Sequence, residues 1–274
     1  MSGQASQGFI ALGHTDLLLA ATLLVLAGGL SWRLQLGIEK RLLISALRAS
    51  VQLLLLGLVL HSLFSTQSPG LIALIGSVML GIAGYEVWSR QARRLRGWWG
   101  YGTGVLSMLL SSVTIALFSV SIILQPSPWY HPQYLIPLLG MLLGNTMTGI
   151  AVAMNTLGRE TWSRRGEIEA RLMLGDKASD AIADIRRAAL RAGLIPIINS
   201  MATAGIVTLP GIMTGQILAG GDPMEAAKYQ LMIMFLIAAG TALGAAIAVI
   251  IMAHRLFDDR QRLSLRRLSA ANDN

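Results

Sequence analysis

A chain of 274 residues with 54% apolar and only 13% charged side chains, and a mean hydropathy of +0.60, fits no soluble class. A net charge of +8 would point to nucleic acid in a soluble protein. Here the cations are divided among loops beside apolar stretches, where membrane topology accounts for them and no nucleic-acid partner is expected. Cysteine is absent, which excludes disulfides and thiolate metal sites within the chain.

Seven stretches reach or approach the roughly 20 residues needed to cross a hydrocarbon core. They run approximately 10–32, 42–64, 70–88, 104–124, 134–157, 193–220 and 229–254. No Lys or Arg precedes the first, so it reads as a retained span rather than a signal peptide. Twenty of the 22 Lys and Arg residues lie in the gaps after the first, third and fifth stretches and in the tail. The alternate gaps (61–69, 125–133 and 221–228) hold one cation, Lys228, and the last, Arg48, lies within a span. Cations stay on the cytoplasmic side during insertion. The expected fold is therefore all-α and polytopic, with about seven transmembrane helices, the N-terminus outside and the C-terminus cytoplasmic. Residues 1–254 read as one membrane domain that includes a cytoplasmic segment at 158–192. A basic cytoplasmic tail, 255–274, is expected to fray.

Along the chain, the first chemical anomaly is Arg48 in the second span, with Gln52 one turn further on the same face. A charge at that depth costs on the order of 3 kcal/mol by insertion scales, so it needs a partner or water. Glu86, near the cytoplasmic end of the adjacent antiparallel span, is the expected mate; snorkelling to the interface is the other solution. The fifth span carries Gly140 and Gly144, then Asn145, Thr146 and Thr148; Gly240 and Gly244 repeat the small-residue spacing in the seventh. Such pairs admit close helix packing. The sixth span has Asn199, Ser200, Thr214 and Gln216, and Pro210-Gly211 should kink or break it. Methionines 141, 147, 154, 201 and 213 read as packing filler. The four histidines form no ligand spacing, so metal ligands are unknown.

No Gly-x-x-x-x-Gly-Lys-Ser/Thr loop occurs, so ATP must be handled elsewhere if flux is active. Segment 158–192 offers a docking element. Glu160–Arg164 and Glu167–Arg171 have helical pair spacing, Ile168, Leu172 and Gly175 share a face suited to a partner groove, and Asp176, Asp180 and Asp184 form an acidic row.

Glu169-Ala-Arg171 followed by Gly175 and Ile185 resembles the cytoplasmic coupling loop of ABC importer permeases. A longer match resembles the FetB-type family of ABC permeases, linked to bacterial iron export and plant aluminium tolerance. It comprises Arg48-Ala-Ser-Val-Gln52-Leu, Gly144-Asn-Thr-Met-Thr148, Glu169 to Gly175, Ile195-Pro-Ile-Ile-Asn-Ser200 and Gly205 to Pro223, with Leu209 to Pro223 its most specific block. The resemblance implies a non-enzymatic permease subunit in the bacterial inner membrane, paired with a separate ATP-binding cassette subunit. ATP and magnesium would sit on that partner, and two copies of each subunit are expected. On this reading Arg48, Gln52, Asn145, Thr148, Asn199 and Gln216 line the substrate path, and Glu167, Glu169 and Gly175 couple it to the ATPase. Iron or another metal species is the implied cargo. The donor set sits uneasily with a bare cation, since amides, hydroxyls, thioethers and an arginine replace the usual carboxylates, histidines and thiols. An organic anion such as a nucleotide sugar, a passive channel and a membrane scaffold are the alternatives.

Overall fold

A computed structural model describes residues 13–66 and 68–269. The expected start of the first span and end of the tail lie outside the described residues. The described chain is helical, with three isolated β-bridges and no strand. Its helices are α1 (His14–Arg33), α2 (Glu39–Thr66), α3 (Pro69–Ser89), α4 (Trp98–Met108), α5 (Thr114–Phe118), α6 (Pro132–Ser163), α7 (Arg165–Met173), α8 (Ala178–Ala181), α9 (Ala183–Thr203), α10 (Gly211–Leu218) and α11 (Pro223–Arg255). π-Helical turns at Leu109–Val113 and Ser119–Leu124 join α4 and α5 into one rod ending at Leu124.

Among the described residues, six helices are long and apolar enough to cross a membrane: α1, α2, α3, the α4–α5 rod, α6 and α11. The remaining predicted stretch, 193–220, is built differently from expectation. Its helix, α9, begins ten residues earlier, at Ala183, because Ala183, Ala188, Ala189 and Ala192 are strong helix formers. That start brings Arg186, Arg187 and Arg191 into the helix and lowers its hydropathy. At 21 residues it is nevertheless about 31 Å long. The break near Pro210 is wider than a kink, running from Ala204 to Pro210. Gly205 takes φ +79°, and the Thr203 carbonyl accepts the amides of Ile206, Val207 and Thr208 at 3.0–3.3 Å. Pro210 then caps α10 with φ −62°; proline excludes helix from the residue before it while suiting the start of the next.

The core lies where α6, α9 and α11 meet, flanked by α3 and α4. Ile150, Met154, Leu157, Ile185, Ala189 and Met252 are fully buried there. The helices touch backbone to backbone. A Cβ on Gly149 would stand 2.9 Å from the Gly193 carbonyl and 2.4 Å from Thr241, and a Cβ on Gly193 only 2.6 Å from the Gly149 carbonyl. In lipid, association rests on such van der Waals approach rather than on a hydrophobic force.

At one end of the bundle the basic segments converge. Arg93 stacks over Trp162 (3.8 Å) and Arg255 over Trp99 (3.2 Å), cation–π contacts that bind loops together. The Ala92 amide donates to Asn155 Oδ1 at 2.9 Å. Contrary to the expected fraying, the tail folds back through Ser269. The Arg96 amide donates to the Arg267 carbonyl and the Ser269 amide to the Arg94 carbonyl, each at 2.8 Å, while Leu268 is buried. The spaced apolar residues Leu263, Leu265 and Leu268 make this possible within a basic run.

Gly149→Leu should destabilise the bundle by about 1–3 kcal/mol or more through overpacking. Gly166→Ala, with nothing within 4 Å of an added Cβ, serves as the control. Thermal unfolding of purified protein checks this; equal midpoints for the two variants would contradict the close crossing.

Candidate functional site

A cavity of about 550 Å³ opens between α2, α3 and α6. Its charged wall comes from Arg48 of α2, Glu86 of α3 and Arg90 immediately after α3. Arg48 Nη2 donates to Glu86 Oε1 at 3.0 Å, and Arg90 Nε stands 3.4 Å from Glu86 Oε2. The expected Arg48–Glu86 pair therefore forms, and a second guanidinium joins it. Arg90 was legible as an i,i+4 partner of Glu86, yet as a loop cation it is already explained by topology. The span portion of α2 has no buried residue; the ion pair, a small patch on α6 and, toward the end of the helix, Leu60 and the buried Leu63 join it to the body.

Gln52 and Ser45 line the same cavity, with Gly140, Gly144 and Met147 opposite on α6. The two glycines of α6 thus border open space and the Met79 side chain, whereas Gly244 of α11 packs tightly on Thr146 and Ser111. Asn145 and Thr148 occupy the neighbouring stripe of α6. Asn145 Nδ2 donates to the Met141 carbonyl at 2.8 Å and Thr148 Oγ1 to the Gly144 carbonyl at 3.2 Å. Asn199 is exposed on α9 and Gln216 half-buried on α10. The structure brings Arg48 and Gln52 together, sets Asn145 and Thr148 beside them, and leaves Asn199 and Gln216 outside the cavity lining.

The second constellation lies at the basic end. The Arg164 guanidinium forks onto Glu167 (2.6 and 2.8 Å) and reaches Asp184 of α9 at 2.6 Å. Arg171 binds Asp176 at 3.0 Å and approaches Asp184 at 3.5 Å. These partners replace the pairs expected from spacing, Glu160–Arg164 and Glu167–Arg171, because the chain turns between α7 and α9 and brings Asp184 within reach. Asp176 and Asp184 of the expected acidic row meet on Arg171, and Asp180 lies on the short helix α8. The truss ties α6, α7 and α9 into one rigid corner. Arg164 holds the Glu167 and Asp184 carboxyls below the ordinary carboxylate range, chiefly by direct hydrogen bonds, and is itself shifted upward by the same bonds.

The apolar strip expected to meet a partner is also corrected. Ile168 is 1% exposed and packs inward. The exposed apolar tip is Met173 and Leu174, at 82% and 87%, followed by Gly175 at φ +98°. Glu169 is exposed and lines a groove with Leu172, Met173 and the tail residues Arg260 to Leu263. No sequence signal placed the tail there. Among the described residues, no cluster of three His, Cys, Asp or Glu side chains is arranged to hold a metal ion.

The family described as "Uncharacterised protein family (UPF0014)" matches residues 14–257. The chain belongs to that family. Members similar to it include the UPF0014 membrane protein slr1647 of Synechocystis, 39% identical over 85% of this chain and 89% of the relative. The probable iron export permease protein FetB of Escherichia coli is 33% identical over 93% of this chain and 96% of its own length. Rice UPF0014 membrane protein STAR2 is 35% identical over 78% and 73% respectively. No solved structure matches the chain. The protein is a multi-pass membrane protein, with six helices among the described residues long and apolar enough to cross a bilayer.

Depressed carboxyl pKa values mean that the truss contributes fully above the ordinary carboxylate range, about pH 4, and is lost as pH falls through the lowered native values. Amide protection in α7 should therefore be insensitive to pH from neutrality down to that range and fall below it. Asp184→Asn should lower protection factors of α7 already at neutral pH in hydrogen exchange. Protection equal to that of the parent would contradict the truss.

Proposed function

We propose that the chain is the membrane permease subunit of an ABC transporter that exports iron or another metal species, energised by a separate cassette subunit. Family membership supports the transport reading, since one relative is named a probable iron export permease. The observation that carries the coupling is the braced tip of α7. Two large apolar side chains, Met173 and Leu174, project from a corner whose charges lock it to α6 and α9. A stiff apolar knob beyond the spans suits a groove on a partner, and a push on it would travel through Asp184 into α9 and the break at 204–210. A cassette pair that binds one permease state better supplies the bias between inward-facing and outward-facing forms. ATP and magnesium belong wholly to that partner, because this chain has no phosphate-cradling loop.

The convergence of basic segments at one end supports a cytoplasmic assignment for that end in a bacterial inner membrane. With α9 counted as a crossing, seven helices traverse the bilayer, the N-terminus lies outside and the C-terminus inside. Segment 211–218 then returns along α11 at the outer boundary. Asn145, Thr148 and Asn199 stand on open faces at membrane depth, where polar groups must meet protein or water. A second copy of the chain closing over the α6–α9 face satisfies that requirement and gives a shared path, with Gln216 at its outer end.

Co-purification with a co-expressed candidate cassette ATPase tests the reading. Leu174→Asp should lower recovery of the ATPase at least tenfold while leaving the unfolding midpoint of the permease unchanged, and the permease alone should hydrolyse no ATP. Gly175 is a poorer target, since any side chain at its positive φ strains the turn. Undiminished recovery with Leu174→Asp, or ATP turnover by the isolated chain, would overturn the proposal.

A further inference from the structure

We infer that the cavity between α2, α3 and α6 takes its cargo as an oxyanion, the carboxylate or phosphate face of an anionic metal chelate, rather than as a bare cation. This rests on the permease reading above and narrows its substrate class. The cavity wall carries two guanidiniums and one carboxylate, a net charge of +1. Both oxygens of Glu86 are already engaged, Oε1 by Arg48 and Oε2 by Arg90. A divalent cation leaving water needs several oxygen, nitrogen or sulfur donors around it. Here it would have to take Glu86 from two arginines and then sit beside both positive charges. In so open a site that repulsion is weakened but not removed.

An oxyanion meets the opposite situation. The Arg48 and Arg90 side chains remain 56% and 46% exposed beside the cavity. Arg48 donates to Glu86 through Nη2 and Arg90 contacts it as an ion pair through Nε, and a guanidinium has further N–H groups in the same plane. That fork matches carboxylate and phosphate geometry. Gln52 and Ser45 add neutral donors on the α2 wall. The volume, about 550 Å³, falls in the range of small organic ligands, far beyond the needs of one ion. Glu86 then has a defined part: it holds the two arginines when the cavity is empty and competes with the arriving anion.

Titration calorimetry on the full-length chain in lipid nanodiscs tests this, using citrate, iron(III) citrate, inorganic phosphate and iron(II) alone as probes. Saturable binding of at least one oxyanion probe is expected, weakened tenfold or more by Arg48→Gln and unchanged by Arg260→Gln. Glu86→Gln should tighten binding several-fold, a gain that misfolding cannot produce. Preference for iron(III) citrate over citrate would identify the loaded chelate as cargo, and equal affinity the free oxyanion; either supports the oxyanion site. Saturable binding of iron(II) alone with no oxyanion binding, or oxyanion binding indifferent to Arg48→Gln, would overturn it. No cassette subunit takes part, so failure here leaves the coupling reading standing, and failure of ATPase recovery leaves the cavity standing.

Discussion

The crossing of α6 over α9 at Gly149 and Gly193 is the contact on which the rest of the bundle depends. Hydrocarbon gives helices no hydrophobic reason to associate, so close backbone approach must supply the attraction. Two facing glycines bring carbonyl oxygens and Cα atoms together at a separation no side chain would permit. With α6 and α9 so joined, α11 closes the third side through Thr241 and Gly244. Both α6 and α11 exceed 30 residues, about 45 Å or more, so they carry the core's rigidity out to the basic end.

That rigidity has a direction. The corner made by Arg164, Asp184 and Arg171 stands at the foot of α9, and the irregular turn at 204–210 stands at its head. A helix pinned at both ends to different machinery is suited to move as a rod. By contrast, the Arg48-bearing half of α2 rests on the body through the Arg48–Glu86 pair and a small patch on α6, while its far end is anchored by Leu60 and the fully buried Leu63. The cavity therefore lies between a rigid wall and a loosely held one, which is where a path that opens and closes is easiest to build. The folded tail adds a tie between the α3–α4 loop and the α7 groove.

Much of this was legible in the residues, for physical reasons. Runs of apolar side chains and the alternation of basic gaps reflect lipid and insertion, which act on sequence directly. Arg48 and Glu86 were pairable because a charge within an apolar span demands a partner or water and adjacent antiparallel helices offer one. Pro210 marked a break, since proline removes a donor. What escaped reading depended on chain direction in three dimensions. Asp184 sits 20 residues from Arg164 and enters its reach only after two turns. The start of α9 was hidden because Arg186, Arg187 and Arg191 read as loop cations rather than as the polar foot of a helix. Leu268 gave no periodic signal, so its burial against Leu95 could not be anticipated.

The central claim is that the end bearing α7 and the folded tail faces the cytoplasm, where an ATPase can reach it. Because the chain has no cysteine, single substitutions give unambiguous labels. Leu174→Cys and Trp129→Cys, at exposed residues near opposite ends of the bundle, should be treated with a membrane-impermeant maleimide in intact cells and in inside-out vesicles. Labelling of position 174 is expected only in inside-out vesicles and of position 129 only in intact cells. Labelling of position 174 from outside intact cells would contradict it.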